Sequence, residues 1–346
     1  MKVFIDPRST INYSSFYIRG LYDYFGKKNV HFSTKYFHEL KEIDMLMAFV
    51  LVEKKKITNF IIDYRDQSDI IINAYHWTDV YAKINLNRNT LNLPQNETDK
   101  IVSIPPSFGI KVWNPVELLF HLSCNFFKAG IIGRVNDQNI HLRPVRWMRN
   151  YLSLLKRQKI EYYENTEDQE VPGYIFFVST YWSGHKDLNS FRSRYILSCY
   201  NDPEIEFHGG FFVDKGLSVS GEIPEKLLYR RYIPNSEYLK NTKKSIFVFN
   251  TPAVWNCHGW KLGEFLCMGK AIISTPLFNE LPEQLEHKKN IYLINNEEDI
   301  NSAIHILLKD EQLRQNLRKN ARIYYKRFVA PKKVIEHIVN CNLTIN

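Results

Sequence analysis

The sequence contains few cysteines, and their spacing gives no sign of pairing. There are five, an odd number, and no Cys-x-x-Cys pattern occurs. A disulfide framework uses paired cysteines, and a structural zinc site uses closely spaced thiolate or imidazole ligands. Neither is predicted here, so we expect a protein of a reducing compartment that carries no metal and no cofactor of its own.

Long apolar runs are also absent. Residues 1–12 place charged side chains where a secretory signal needs an apolar stretch, and no segment approaches the roughly 20 apolar residues of a membrane span. The longest apolar stretch, residues 45–52, is short enough to be a core helix. We therefore expect a cytoplasmic protein.

The remaining composition is that of an ordinary folded chain. Of 346 residues, 44% are hydrophobic and 24% are charged, which excludes a disordered, collagenous or coiled-coil protein. At roughly 150 residues per domain, the length suggests about two domains. The formal net charge of +9 favours anionic partners. Nucleic acid is not predicted among them, because no helix-turn-helix, zinc-finger or ribonucleoprotein motif is present.

The order of strand and helix signals predicts an α/β fold. Residues 2–6 (KVFID) have the pattern of a buried strand, followed by a polar loop and a helix over residues 15–25. Buried strands that alternate with helices are typical of parallel sheets, whose ligands lie at the carboxyl ends of the strands. Further strands are predicted at residues 59–63, 69–75, 100–104, 174–179, 245–250, 271–274 and 291–294.

A change of charge marks the predicted domain boundary. Residues 161–170 are acidic and lack apolar periodicity, and Pro172-Gly173 ends the segment. The predicted architecture is two Rossmann-like domains facing each other across a cleft. The expected divisions are an N-terminal domain over 1–160, a linker over 161–172, a C-terminal domain over 173–325, and a final helix over 326–346 that could return to the N-terminal domain.

The segment before this boundary is strongly basic. Residues 143–159 contain six basic residues and no acidic one. Apolar residues recur at helical spacing, which predicts an amphipathic helix whose apolar face comprises Val145, Met148, Leu152 and Leu155. A core helix with a solvated basic face is the favoured interpretation. The alternative is a surface that rests on anionic lipid, with Trp147 at the interface.

One segment of the second half carries the pattern of a phosphate site. Residues 245–276 are predicted as strand, loop, helix and strand, with Gly259 at the helix entrance. Glycine lets the backbone approach a ligand there, and the unpaired amides and dipole of the helix N-terminus favour an anion. Lys261 adds a positive charge in the first turn. Glu264, three residues later on the same face, can accept hydrogen bonds from a diol. Pyrophosphate and ribose of a nucleotide diphosphate match this pair of features.

This segment resembles the donor site of the GT-B glycosyltransferases. Their second domain carries two glutamates separated by seven residues, within a stretch of the form P-F-G-x-x-x-x-E-A-x-x-x-G-x-P-V. Gly259 matches the first glycine, Glu264 the second glutamate and Gly269 the later glycine. Asn256 stands where the family has its first glutamate, which contacts the donor sugar. The resemblance extends from residue 245 to the C-terminus.

The pattern and the resemblance together define a set of donor-binding candidates. Arg192 and Arg194, near the start of the helix after strand 174–179, could clamp the donor diphosphate, and His258 is expected to face the donor. For Lys261 and Glu264, the alternative is an exposed ion pair on a surface helix. The donor-binding candidates are Arg192, Arg194, Asn256, His258, Gly259, Trp260, Lys261 and Glu264.

The N-terminal half offers a weaker resemblance. Asp63-Tyr-Arg65 follows a predicted strand and looks like elements of bacterial capsule and lipopolysaccharide glycosyltransferases. Asp63 could be an acceptor-side base and Arg65 a positioning cation, or the two could form a strand-end ion pair. The candidate catalytic residues are Asp63, Arg65 and Lys261. No paired-acid D-x-D motif is present, so metal-independent chemistry is expected.

The resemblance implies a glycosyltransferase. It would move a sugar from a nucleotide-diphosphate donor to a hydroxyl of a cell-surface polysaccharide or a lipid-linked oligosaccharide. Lys261 and the helix N-terminus at Gly259 and Trp260 would supply positive charge for the departing diphosphate. Two alternatives stay open: a nucleotide-sugar epimerase of the same fold, and a non-catalytic protein that binds a nucleotide sugar or a membrane surface, which Asn256 motivates.

Overall fold

The computed structural model describes residues 1–41, 43–94, 97–136, 143–165, 170–213 and 223–345. The chain divides into two compact units. Unit 1 comprises Met1–Ile160, Asn279–Glu283 and Arg327–Asn346. Unit 2 comprises Glu161–Phe278 and Gln284–Lys326. The chain therefore crosses between the units several times, and the short segment Asn279–Glu283 joins unit 1 without any signal in the sequence.

Unit 1 is built on a six-stranded mixed sheet. The strand order is β2-β1-β3-β4-β5-β6. The third strand is antiparallel to both of its neighbours, and the other pairs are parallel. The strands are β1 (Lys2–Ile5), β2 (Val30–Phe32), β3 (Leu46–Glu53), β4 (Lys56–Asp63), β5 (Val80–Lys83) and β6 (Ile101–Ser103). The first helices are α1 (Ile11–Phe25), α2 (Ile72–Trp77), α3 (Pro115–Asn136) and α4 (Pro144–Leu152).

Two predicted elements of unit 1 are wrong. The apolar stretch 45–52 is not a core helix but strand β3, which lies between two other strands and is buried for most of its length. Such a strand shows no alternation of polar and apolar residues, so periodicity cannot distinguish it from a buried helix. The predicted strand 69–75 is instead a loop that leads into α2. A two-residue turn at Lys54, whose φ is 52°, joins β3 to β4 and makes the sheet mixed rather than parallel.

Unit 2 is a parallel α/β unit, and its predicted strands are confirmed. Hydrogen bonds join β7-β8-β9 and β10-β11-β12 in parallel. The Ile246 amide donates to the Tyr174 carbonyl oxygen at 3.1 Å, which sets β10 beside β7. The strands are β7 (Tyr174–Thr180), β8 (Glu206–Phe212), β9 (Leu228–Tyr229), β10 (Val248–Asn250), β11 (Ile272–Ser274) and β12 (Tyr292–Leu293).

Helices and an aromatic cluster complete unit 2. Tyr195 stacks on Phe249 with ring centroids 4.3 Å apart, and Phe177 meets Tyr195 edge-on, so the aromatic rings fix α6 against the sheet. The helices are α5 (Ile160–Glu164), α6 (Lys186–Asn201), α7 (Asn235–Lys244), α8 (Trp260–Cys267), α9 (Asp299–Lys309) and α10 (Glu311–Tyr324). The α/β class predicted from the sequence is confirmed for both units.

The last helix, α11 (Pro331–Ile345), belongs to unit 1 and packs on α1. Their backbones approach so closely that a Cβ at Gly20 would overlap the Pro331 carbonyl oxygen and the Ile335 side chain. Val334, Ile335 and Ile338 are buried in unit 1. Glycine at position 20 is therefore a packing requirement of this helix pair.

Candidate functional site

An open pocket of about 750 Å³ lies in unit 2 at the carboxyl ends of its strands. The loop after β7 and the first turn of α6 contribute residues 184–188, and the loop after β10 contributes residues 251–256. Phe278 and Asn295 line it from the segments that follow β11 and β12. Ligands of open parallel sheets bind at this edge, because the loops there are free of the sheet's hydrogen bonding. We call this site the strand-end pocket.

Arg192 holds one wall of the strand-end pocket. Its guanidinium donates to the Thr180 carbonyl oxygen (2.9 Å), the Thr251 hydroxyl (2.9 Å) and the Pro252 carbonyl oxygen (3.3 Å). These bonds tie the end of β7 to the loop after β10. The side chain is buried, and burial lowers the pKa of Arg192 to about 10, so it stays charged at neutral pH. Its recorded partners within the described residues are neutral oxygens rather than carboxylates.

Lys261 lies close to Arg192, in the first turn of α8. Its Nζ donates to the Val178 carbonyl oxygen at 2.5 Å and lies 4.9 Å from the centre of the Phe177 ring. Burial lowers the pKa of Lys261 to about 7, with a further decrease from Arg192 and an opposing increase from Glu264. Near neutral pH this amine is therefore divided between its charged and neutral forms, and an anion beside it would favour the charged form.

Glu264 follows one turn later and is buried. The Tyr238 hydroxyl donates to its carboxylate, and burial followed by the Glu264 charge raises the pKa of that tyrosine well above its usual value. The burial of Glu264 excludes the exposed ion pair that the sequence left as an alternative. Two further elements of the predicted donor site, Gly259 and Trp260, form the N-cap and first residue of α8, which has no side-chain capping bond. A Cβ at Gly259 would meet nothing within 4 Å.

The other donor candidates separate in the structure. Asn256 lines the strand-end pocket directly, with a left-handed φ of 55°. His258 is buried behind the same loop. Arg194 is exposed and borders a different, shallow depression with Ser198. Residues two apart on a helix point in different directions, which is why Arg192 reaches the pocket loop and Arg194 does not.

Asp63 and Arg65 form a buried ion-pair network in unit 1. The Asp63 carboxylate accepts from Arg65 (3.0 Å), Tyr81 (2.7 Å) and Lys83 (3.0 Å). Burial alone would raise the pKa of Asp63, but the Lys83 and Arg65 cations lower it below its usual range. Both oxygens are occupied, so this carboxylate is poorly placed to take a proton from a substrate. The contacts fit the strand-end ion pair that the sequence left open as the alternative.

A second pair at the end of β1 repeats this arrangement. Asp6 accepts from the Arg8 backbone amide at 2.8 Å and from its guanidinium at 2.6 Å, just as Asp63 accepts from the Arg65 amide at 2.9 Å. In both places the aspartate ends a buried strand and the arginine two residues later closes the turn. The repetition indicates a way of ending strands in this unit rather than a proton-transfer site.

Several pocket residues were missed by the sequence analysis. His185 and Lys186 line the strand-end pocket where α6 begins, and Lys186 is exposed. The signal was present: a lysine in the first turn of a helix that follows a buried strand and Gly184. Trp255 and Phe278 give the pocket an aromatic rim, and Trp255 is 69% exposed with a left-handed φ of 63°. Neither residue stands out in the sequence, because aromatic residues mostly pack in cores.

The site is rich in positive charge and poor in metal ligands. Across the described ranges, no group of three or more His, Cys, Asp or Glu side chains could hold a metal ion. Lys186 lines the pocket, Arg192 bonds to the loop after β10, and Lys261 lies near Arg192. This arrangement suits an anionic ligand.

The chain is similar, at low sequence identity, to several solved structures. The structure of HepE from Anabaena, solved with UDP and glucose, is 13% identical over 78% of this chain and 65% of that chain, with a TM-score of 0.40. WaaG, described as a glycosyltransferase involved in lipopolysaccharide biosynthesis, is 12% identical over 77% of this chain and 82% of its own, with a TM-score of 0.35. TarM is 14% identical over 56% of this chain and 41% of its own, with a TM-score of 0.39.

No curated protein matches the chain. The model of the family described as "Glycosyl transferases group 1" matches residues 218–324. That range contains α8 with Lys261 and Glu264, and it overlaps the segment from residue 245 onward on which the sequence analysis based its resemblance. The match confirms the resemblance to GT-B glycosyltransferases, and the region from residue 218 to residue 324 carries the sequence signature of the group 1 glycosyl transferases.

Proposed function

We propose that the protein transfers a sugar from a nucleotide-diphosphate donor to a hydroxyl of a surface polysaccharide or lipid-linked oligosaccharide. The observation that carries the proposal is the pair of cations, Arg192 and Lys261, beside the loops of the strand-end pocket. Each is held by carbonyl oxygens, which orient a cation without neutralising it. Glu264 is the carboxylate that acts on Lys261, so two basic groups share one nearby acid. Burying an excess of positive charge is costly, so such a cluster is expected where a ligand supplies further negative charge.

The donor diphosphate is that ligand in our proposal. Its negative charge grows as the sugar leaves, and fixed cations in a partly dehydrated site stabilise that charge most in the transition state. Lys261 would serve this role with the N-terminal amides of α8, and Lys186 would add an exposed positive charge at the opposite loop. Because these groups supply the counter-charge, we propose that transfer needs no metal ion.

Glu264 would bind the ribose. A carboxylate accepts hydrogen bonds from hydroxyl groups, as Glu264 does from Tyr238, and the two hydroxyls of a ribose are donors of the same kind. Asn256 and Trp255 line the pocket wall, where the sugar would lie, and an asparagine side chain can donate to and accept from sugar hydroxyls. We assign Asp63 and Arg65 the shaping of a loop that would face the acceptor, rather than proton transfer.

We also propose that the protein works at the cytoplasmic face of a membrane, where a lipid-linked acceptor would be available. The basic segment 143–159 supports this proposal, because basic residues near a bilayer are attracted to anionic headgroups.

The donor site can be tested by a thermal-shift screen with UDP-, GDP-, CMP- and dTDP-linked sugars. A donor present at 100 times its Kd should stabilise the protein by about 2.7 kcal/mol. Lys186→Ala should weaken this shift, whereas Arg194→Ala, an exposed cation on the same helix but outside the pocket, should not. Equal effects of the two changes would show that the strand-end pocket is not the donor site.

Turnover is tested separately with acceptor pools. Transfer of labelled sugar to a glycan or lipid-linked acceptor would support the proposed activity. Conversion of the donor to an epimer without any acceptor would favour the epimerase alternative. Donor binding without either reaction would favour the non-catalytic alternative that Asn256 motivates.

A further inference from the structure

Helix α3 presents an apolar face to solvent. Five of its large apolar side chains are exposed and lie along one side over four turns, a length of roughly 22 Å. Val116 is 78% exposed, Phe120 is 63% exposed and Phe127 is 72% exposed, and Leu119 and Ile131 complete the face. A surface helix of a globular domain normally turns polar residues outward. We therefore expect another molecule to cover the exposed apolar side of α3.

The opposite side of α3 also carries apolar residues, and these pack into the core of unit 1. The exposed face is therefore additional to the face that the core requires. Leu118, Ala129 and Ile132 are buried in unit 1, and the Asn125 amide donates to the Tyr151 hydroxyl at 3.0 Å. The helix is apolar on both sides. Polar residues, Glu117 paired with Lys27 and Lys128 bonded to the Phe32 carbonyl oxygen, lie on the flank between the two apolar faces. The outer face is therefore a second apolar surface, separate from the one that packs on unit 1.

Helix α4 packs on α3, also exposes apolar residues, and overturns the favoured prediction for it. Val145, Met148, Leu152 and Leu155, predicted as a core face, are all exposed. The residues that face the protein are Trp147, Tyr151 and Leu154. Trp147 was predicted to lie at a lipid interface, but it is buried, and its indole donates to the Leu122 carbonyl oxygen of α3 at 3.0 Å. Helical spacing grouped the apolar residues correctly but did not determine which side was buried.

Positive charge borders the exposed apolar residues of α4. Arg143, Arg146 and Arg149 are exposed, as are Lys156 and Lys159 further along. On a helical projection, Arg149 lies next to the stripe formed by Val145, Met148 and Leu152. Asp44 is an acidic residue beside this segment, with its carboxylate 3.8 Å from the Arg146 guanidinium. The surface thus combines exposed apolar side chains with a strong excess of positive charge.

We propose that the exposed residues of α3 and α4 form a surface that docks on an anionic lipid bilayer, with the apolar side chains entering the headgroup boundary. We call it the α3–α4 face. The inference deepens the membrane association proposed above and rests on it. Apolar residues supply burial and arginines attract anionic headgroups, which is the pairing used by helices that lie in a membrane interface. Within the described ranges, no helix has both the length and the hydropathy to cross a bilayer, so the face would rest on the surface.

The charge contribution can be measured by sedimentation with vesicles. Wild type should bind vesicles of equal phosphatidylglycerol and phosphatidylcholine, and should bind phosphatidylcholine vesicles weakly. The triple change Arg143→Glu, Arg146→Glu and Arg149→Glu should reduce partition by at least roughly 100-fold, because loss of each basic residue alone costs about fivefold near such a surface and each glutamate adds repulsion. The matched control reverses three exposed charges at the turn between β3 and β4, in the triple change Lys54→Glu, Lys55→Glu and Lys56→Glu. It should leave vesicle binding close to that of wild type.

The apolar contribution needs its own variants. Phe127→Glu and Val145→Glu change exposed side chains, so both should fold, and each should lower vesicle binding at least tenfold. Ile57→Glu replaces an exposed apolar residue of unit 1 on strand β4 and should have little effect. Loss of binding in the arginine variant but not in Phe127→Glu would overturn the insertion of α3, since attraction by charge alone would then account for the association.

Two results would overturn the proposal outright. One is equal vesicle binding by wild type and all the folded α3–α4 variants. The other is a wild-type dimer in analytical ultracentrifugation that Phe127→Glu converts to monomer, because a second copy would then cover the face. The thermal-shift screen on the same variants measures donor binding separately from membrane docking. If the protein binds the donor but not vesicles, the docking proposal fails and the transferase proposal stands. If it binds vesicles but no donor, the transferase proposal fails and the docking proposal stands.

Discussion

Replacing Lys261 with methionine should make the protein more stable and less active. Methionine keeps most of the volume of the lysine side chain but carries no charge. In the wild type, burial and Arg192 lower the pKa of Lys261 from its ordinary value near 10.5 to about 7. At about 1.36 kcal/mol per pKa unit, a shift of this size destabilises the folded state by roughly 4 kcal/mol at pH 7. The variant also loses the hydrogen bond from Nζ to the Val178 carbonyl oxygen, which lowers its stability by about 1 kcal/mol. We expect a net gain of about 2–3 kcal/mol.

The pH dependence supplies a sharper test of the same reasoning. The folded-state pKa of Lys261 lies below its unfolded-state value, so between about pH 7 and 10.5 the unfolded state binds more protons. The wild type should therefore gain stability as pH rises through this range. The stability difference between Lys261→Met and wild type should shrink by about 2 kcal/mol from pH 7 to pH 9.

Urea denaturation at pH 7, 8 and 9 measures both effects. Lys186→Met serves as the control, because it removes an exposed lysine that lines the strand-end pocket and should change stability by less than about 0.5 kcal/mol. If Lys261→Met is less stable than wild type at every pH, with a constant difference, the amine is an ordinary structural donor and the argument for a strained cation in the donor site fails.

Three further predictions concern catalysis and folding. Transfer activity should survive EDTA, because Arg192 and Lys261 supply the counter-charge; loss of activity that Mn²⁺ or Mg²⁺ restores would contradict this. Glu264→Gln should raise the donor KM by roughly tenfold with little change in kcat, since the ribose does not react and a charge-assisted hydrogen bond contributes about 1.5 kcal/mol; unchanged steady-state kinetics would remove Glu264 from the donor site. Asp63→Asn should destabilise the fold by about 3–5 kcal/mol in denaturation experiments, because it leaves the buried Lys83 without its partner charge; wild-type stability with abolished transfer would instead support a catalytic aspartate.

The sequence predicted the second unit better than the first. Strands β10 and β11 are short, buried and parallel, and Gly259 and Gly269 bound the helix between them, so local signals and the tertiary arrangement agree. Strand β3 has the same apolar composition, but its antiparallel pairing depends on a turn of two lysines that has no common turn signature. Helical length and strand length overlap for an eight-residue apolar run, so composition alone cannot separate them.

The candidate site was predictable only in part, for a geometric reason. The sequence identified Lys261 and Glu264 because their roles depend on spacing within one helix. It could not identify Trp255 or Phe278, because their positions on the pocket rim depend on loops from two different strands. Nor could it separate Arg192 from Arg194, since both fit a clamp and only the packing of α6 determines which one points to the pocket. Asp63 looked available because Lys83, its buried partner, comes from the neighbouring strand.

The close packing of α1 against α11 has a consequence for the order of folding. The surface of α1 around Gly20 is shaped to receive Pro331 and Ile335, which are more than 300 residues away along the chain. During synthesis from the N-terminus, the first unit emerges early but lacks this helix until residues 331–345 leave the ribosome. Unit 2, whose two segments lie between those ends, can assemble its parallel sheet before unit 1 is complete. A fragment that stops at residue 160 should accordingly expose the surface of α1 on which α11 packs, and should aggregate unless a chaperone binds it. Adding residues 331–345 as a separate peptide should restore its solubility.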